Sequence, residues 1–233
     1  MQTRQREPEL MDDPALDPSE HIHARAGLAR LNALSGAAHG LWQPLQQLMA
    51  ERNLTSLKVL DIATGAGDVI FRIHRIARQR GVQVEIDGCD FSDTALNHAR
   101  RSAQRIGAPS KFFKLDVFRD QIPSGYDVVM TSLFTHHLGD DDTVHLLSSM
   151  KRAAGQMLIV NDLQRSKFNH ALIWLATRIC STSRVVHFDG PASVRNSYTV
   201  TELAHLADKA GLHDASLHEV FPCRMMLTWK RTR

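Results

Sequence analysis

Cysteine is scarce in this chain. The three present, Cys89, Cys180 and Cys223, lie 91 and 43 residues apart, which leaves no CxxC pair, no zinc-ligand spacing and no disulfide framework. A reducing compartment is the expectation. No apolar run approaches the ~20 residues that a bilayer-spanning helix demands, and the most apolar helical stretch, Phe168 to Cys180, is broken by Asn169, His170 and Arg178. No membrane span is expected. The opening MQTRQREPEL lacks the apolar core of a signal peptide, so the expected location is cytoplasmic. Excess charge is also missing: 28 Lys and Arg against 25 Asp and Glu leave a net charge of +3, no electrostatic mandate for nucleic acid or anionic lipid. A hydrophobic content of 43% with 23% charged residues removes disordered and collagen-like classes. Its 233 residues suit one full-sized domain with an extension.

Residues 1–18 are polar and proline-containing and are expected to be disordered. Residues 19–56 form a helical cap in this reading. Ile22, Ala26, Leu28, Leu31 and Leu34 share a helical face, and Leu41 to Met49 gives a second helix with Pro44 in its first turn. From Leu57 short apolar runs alternate with helical patterns, the mark of strands and helices around a parallel sheet. The runs are LKVLDI, VQVEIDGCD, KFFKLDV, YDVVMTS and QMLIVND, followed by ASLHEVF and RMMLTWK as a closing hairpin. The fold class is therefore α/β, a doubly wound seven-stranded sheet with an N-terminal helical cap. Its main domain covers residues 57–233, and the segment 163–197 interrupts the rhythm as an insertion. Ser92 is placed to cap the helix that follows the second strand.

The sharpest local signal is Asp61-Ile62-Ala63-Thr64-Gly65-Ala66-Gly67-Asp68, a strand running into a glycine turn that opens a helix. The dinucleotide fingerprint G-x-G-x-x-G fails here, because Ile70 stands where its third glycine belongs. An acid before the turn suits a ligand with a positive charge on that side. The second strand ends at Asp90, where a carboxylate could accept two hydrogen bonds from a ribose diol with Phe91 over an adenine, and the third ends at Asp116-Val117. Ligands of open parallel sheets bind outside these carboxyl ends.

In these residues the chain resembles the class I S-adenosylmethionine-dependent methyltransferases over about Leu57 to Lys230. The family's first motif, D/E-x-G-x-G-x-G, is matched by Asp61, Ala63, Gly65 and Gly67, with alanine for the first glycine, a mild departure unless φ is positive. The resemblance implies S-adenosylmethionine as cofactor. It places Asp61, Ala63, Thr64, Gly65 and Gly67 at the amino-acid end, Asp90 at the ribose, Phe91 and Val117 on the adenine faces and Asp116 at the adenine amino group. Ser132, closing the fourth strand, joins the cofactor-binding set.

The acceptor is read from the residues just past that strand. The Asn/Asp-Pro-Pro-aromatic motif of base-amine methyltransferases is missing, so nucleic acid is not an expected partner. Cys223, though preceded by Pro222, lies in the late hairpin and reads as structural. The run THHLGDDDTVHLLSSM is similar to the region of small-molecule O-methyltransferases that carries a histidine base, which makes His136 the candidate catalytic residue and His137 its rival. The competing reading is a histidine that packs on the cofactor or caps the next helix. No metal is expected: Thr131-Ser132 and Asn161-Asp162 depart from the Asp and Asp-Asn positions of metal-dependent relatives, and Asp140 to Asp142 begin a helix. The insertion, with Phe168, Trp174 and Phe188, suits an aromatic or lipidic acceptor or else a homodimer contact. Arg30 and Asn32 are candidate contacts from the cap. The expected function is methylation of a hydroxyl on a small aromatic or polyketide-like molecule. The alternatives are C- or N-methylation of a quinone-like or amine metabolite, or cofactor binding without catalysis.

Overall fold

In the computed structural model, which describes residues 3–13, 15–34 and 36–232 and the side chains of these except residues 18 and 32–34, two helices precede the sheet. They are α1 (Pro18–Leu34) and α2 (Ala37–Arg52). Helix α2 begins four residues earlier than its apolar pattern suggested, so Pro44 lies inside it. Gly36, at φ 65°, turns the chain into the helix, and Ala37 is buried from the outset. Proline has no N–H for the Gly40 carbonyl, a loss outweighed by burial of Leu41, Trp42, Leu45 and Leu48 against the sheet.

The alternating region folds as β1 (Ser56–Ile62), α3 (Asp68–Gln79), β2 (Gln83–Asp90), α4 (Asp93–Ile106), β3 (Phe112–Lys114), β4 (Tyr126–Ser132), α5 (Asp140–Ala153) and β5 (Ala154–Leu163). Then come α6 (Lys167–Cys180), α7 (Arg184–Asn196), α8 (Val200–Lys209), β6 (Ser216–Val220) and β7 (Arg224–Lys230). The strand order is β3-β2-β1-β4-β5-β7-β6, with β7 alone running against the others. The seven strands and the reversed last one stand as the sequence indicated. Successive residues face opposite layers: Val59, Val128 and Met157 pack under α2 and α3, while Leu60, Val129 and Leu158 pack under α5 and α8. The chain leaves β1 toward β2 and β3 on one side and returns to β4 on the other. The crevice at this reversal is where such sheets hold ligands.

Three expectations are corrected. Strand β3 stops at Lys114, so Asp116 lies in the following turn rather than at a strand end. Residues 3–13 are packed rather than disordered, because their polar groups find buried partners: Arg4 donates to the Asn196, His136 and Leu138 carbonyls, and the Leu10 and Met11 amides donate to Asp189 at 2.7 and 3.0 Å. The insertion holds two helices, α6 and α7, and Leu172 and Ile173 of α6, like Leu133 just past β4, pack against the cluster of Leu163, Val194 and Cys223. Arg30 donates to the Cys180 carbonyl at 2.9 Å, tying α1 to the end of α6 rather than to the glycine turn, and the Asn32 side chain lies outside the described residues. Cys223 is buried against Leu163 and Val194, its thiol pushed up by that burial. Among the described residues no helix is long and apolar enough to cross a membrane.

Candidate active site

Asp61 is 2% exposed on β1. Its Oδ2 accepts from the Thr64 hydroxyl at 2.8 Å, and its Oδ1 is buried without a hydrogen-bond partner among the described residues. Burial pushes this carboxyl up to about 7, against the opposing Thr64 bond and with a smaller push from Asp90. A buried acceptor left unpaired is costly, and a cationic donor would both pair this oxygen and reverse the shift.

The turn after Asp61 uses three residues in the left-handed region: Ala63 at φ 55°, Gly65 at 56° and Gly67 at 81°. Alanine there is strained, so the first-position departure is not the mild one expected. A Cβ on Gly67 would stand 3.0 Å from the Phe71 ring, and one on Gly88 of β2 would stand 2.7 Å from the Thr64 methyl, so the turn lies hard against the neighbouring strand. The Gly65 amide donates to Asp90 Oδ2 and the Ser92 amide to Asp90 Oδ1, both at 2.8 Å. Each oxygen of Asp90 keeps a lone pair for a ligand diol. Ser92 caps α4 by accepting from the Ala95 amide.

Phe91 beside this carboxylate is 66% exposed, an aromatic face with room for a planar ligand. Asp116 accepts from the Phe118 amide at 3.0 Å and sits 3.5 Å from Arg119, so part of its capacity goes to shaping a turn. Val117 is buried with Ile62 and Cys89. Ser132 ends β4 with its hydroxyl buried and, like Asp61 Oδ1, unpartnered among the described residues. Thr64, Gly65, Asp61 and Asp90 are thus brought together directly.

His136 stands on a single 3-10 turn, Thr135–His137, beyond the carboxyl end of β4. It is 4% exposed. Its Nδ1 lies 2.7 Å from Asp162 Oδ1 at the end of β5, and its Nε2 lies 3.6 Å from Glu9 Oε1. Asp162 also accepts from the Thr135 hydroxyl at 2.6 Å and from the Leu163 amide at 2.7 Å. Burial alone would raise the Asp162 carboxyl, but the facing His136 and these hydrogen bonds hold it well below the usual carboxylate range. A carboxylate on Nδ1 fixes the ring and leaves Nε2 as the working nitrogen. Asp162 and Glu9 were not singled out from sequence as partners of His136. The acid in VND at a strand end was the available signal for Asp162, whereas nothing local marks Glu9.

His137 stacks on His136 with ring centroids 4.2 Å apart, and its Nδ1 is 3.3 Å from Asp12 Oδ2. Burial would lower its pKa, but Asp12 and Glu9 more than reverse this and raise it. Among the described residues Glu9, His136 and His137 place ligand-type atoms within 4.8 Å of one another.

Residues 59–155 match a family model described as a methyltransferase domain. A demethylmenaquinone methyltransferase from Thermus thermophilus is 30% identical over 84 residues, 36% of each chain, so the match spans about a third of that relative's length. Among solved structures, the plantazolicin methyltransferase BpumL in complex with S-adenosylhomocysteine superposes with a TM-score of 0.65 at 15% identity, over 93% of this chain and 91% of that one. Magnesium protoporphyrin IX methyltransferase from Synechocystis PCC 6803, with bound S-adenosylhomocysteine, gives 0.57 at 15% identity, over 94% and 90%. At these identities the likeness is one of fold.

Proposed function

We infer that this chain, which belongs by its domain and its sheet order to the class I S-adenosylmethionine-dependent methyltransferases, methylates a hydroxyl of a small aromatic or polyketide-like molecule, with His136 as the base. The observation that carries this reading is the buried Asp162–His136 pair at 2.7 Å, set at the carboxyl edge of the sheet. The residues fit the cofactor: Asp61 Oδ1 is an orphaned buried acceptor for its ammonium group, Asp90 suits its ribose diol and Phe91 its adenine. When bound, S-adenosylmethionine supplies an electrophilic methyl group for in-line displacement.

The chain's own work is to bind, orient and move one proton. Asp61, the Ala63–Gly67 turn, Asp90, Asp116, Val117 and Ser132 hold the cofactor in this proposal. Residues 3–13, with Glu9 3.6 Å away, keep water from His136 Nε2, and Asp162 holds the imidazole so that Nε2 accepts the hydroxyl proton as the oxygen attacks. An acceptor reaching that nitrogen takes the place now held by Glu9. No metal takes part in this proposal, because the candidate ligands are already used: Asp162 is bonded to His136, Thr135 and Leu163, and Asn161 Oδ1 accepts from Arg224 at 2.9 Å. No nucleic-acid partner is proposed.

Replacing His136 by alanine tests the base. Turnover of a phenol with pKa near ~10 should fall by ~10²–10⁴, while a nitrophenol already ionised at neutral pH loses much less. Equal losses would make His136 a positioning residue. The quinone relative supports a second reading, C-methylation of a hydroxylated quinone-like ring. The position of the new methyl group in the product distinguishes the two, and a chain that binds cofactor without any methyl product would set both aside.

A further inference from the structure

Large exposed apolar side chains gather on one helix of the insertion. Phe168, Leu175 and Ile179 of α6 are 68%, 50% and 75% exposed. At 100° per residue they fall within about 40° of one another on the helix surface, while Asn169 and Thr177 face inward and are buried. Phe221, 86% exposed, stands two residues before Cys223, whose thiol reaches the Asn169 carbonyl near the start of the helix. The stripe on α6 is therefore outward and narrow.

Its polar border has one sign. The segment KFNHALIWLATRIC contains no acidic residue, and Lys167 and Arg178 lie on the same flank, with the Arg178 guanidinium 3.8 Å above the Trp174 ring. The net charge of the whole chain is near balance, so this local excess is a property of the helix and not of the protein. A tryptophan and cations beside an aliphatic stripe are the composition of a helix lying in the headgroup layer, where the ring takes the boundary and the cations meet lipid phosphates. A second copy of this chain fits worse. An antiparallel two-fold pairing of α6 sets Arg178 against Lys167 of its mate, and a parallel one sets like against like, with no acid on the helix to relieve either.

We propose that α6 is an interfacial anchor that seats the protein on an anionic bilayer surface, its stripe in the acyl boundary and Lys167 and Arg178 at the headgroups. Ile173, on the inner side of the same helix, packs against the buried cluster of Leu163, Val194 and Cys223. The anchor needs neither the cofactor nor catalysis to operate.

Sedimentation of the full chain with vesicles tests it. Vesicles containing 30% phosphatidylglycerol in phosphatidylcholine, about that fraction being enough to give a strongly negative surface, should bind the protein, and pure phosphatidylcholine should bind it at least tenfold more weakly. Salt should weaken the binding. The pair Phe168→Ser with Ile179→Ser should reduce binding tenfold or more, Lys167→Gln with Arg178→Gln several-fold, and Ile106→Ser, removing an exposed apolar residue of α4, not at all. Trp174 is the half-exposed tryptophan, with Trp42 and Trp229 buried, so a blue shift of emission on binding reports its transfer. Equal binding by wild type and the Phe168/Ile179 variant, absence of binding to the anionic vesicles, or a dimer that this variant converts to monomer would each overturn the proposal. Methyl transfer is read separately, so loss of one result leaves the other intact.

Discussion

Asp162 Oδ1, near the end of β5, and His136 Nδ1, on the turn just past β4, lie 2.7 Å apart although the whole of α5 separates them in sequence. Parallel neighbours place their carboxyl ends side by side, with Ser132 opposite Asn161, so a residue at the end of β5 meets the turn just past β4. The pairing is a product of register.

Asp162→Asn should keep the fold and the cofactor affinity while misdirecting the imidazole. Turnover of unionised phenols is expected to drop by ~10²–10⁴, with ionised nitrophenols largely spared. Steady-state kinetics with both acceptors, alongside calorimetric cofactor titration, check this. An Asn variant with normal rates on both acceptors would remove Asp162 from the proposed machinery.

Asp61 sets a pH dependence with a definite sign. Its carboxyl is raised by burial to about 7 in the folded chain, while the unfolded chain ionises near ~4. Between these values the unfolded state holds fewer protons, so stability falls as pH rises from about 4 to 7, by roughly 4 kcal/mol at most. Asp61→Asn should flatten that fall in denaturant titrations. Cofactor binding at pH 6 should release a proton from wild type and not from the variant, visible as a difference in heat between phosphate and Tris buffers. The variant should also bind at least tenfold more weakly, the loss expected for a buried charge-assisted hydrogen bond.

Ala63→Gly should stabilise the protein. At φ 55° the alanine Cβ crowds its own backbone, and its removal is worth about 1 kcal/mol, or ~2–4 °C in Tm for a chain of this size. A lower Tm would mean that the methyl group makes a contact worth more than the strain.

Activity should survive a chelator. Incubation with EDTA followed by dialysis is expected to leave turnover unchanged, since the carboxylates near the site are bonded internally. Loss of activity restored by magnesium would show that those bonds open to admit a cation.

The strands, the glycine turn and the helix caps were legible because each is written in a few consecutive residues. Thr199 and Glu202, for example, three residues apart ahead of an apolar run, form the reciprocal cap of α8. The packing of residues 3–13 was not legible. Their composition is polar, and what orders them is a set of partners far along the chain, such as Asp189 for the Leu10 and Met11 amides and the Tyr198 ring beneath Arg4. The Asp61, Gly65 and Asp90 cluster followed from the motif, but the positive φ of Ala63 did not, because alanine carries no mark of the conformation a neighbouring strand imposes on it.

The placement of β7 between β5 and β6 bears on how the protein is made. Strand β5 is buried on both faces, and its outer edge pairs with residues 224–230, from Met157 opposite Lys230 to Leu163 opposite Arg224. During synthesis every earlier strand has emerged before that edge is covered. For this interval a ten-residue, largely apolar strand presents an open row of amides and carbonyls, a template for pairing with other nascent chains. Chaperone demand should therefore concentrate in the interval before residues 224–230 emerge, and a nonsense change within residues 224–230 should yield aggregate rather than a soluble fragment.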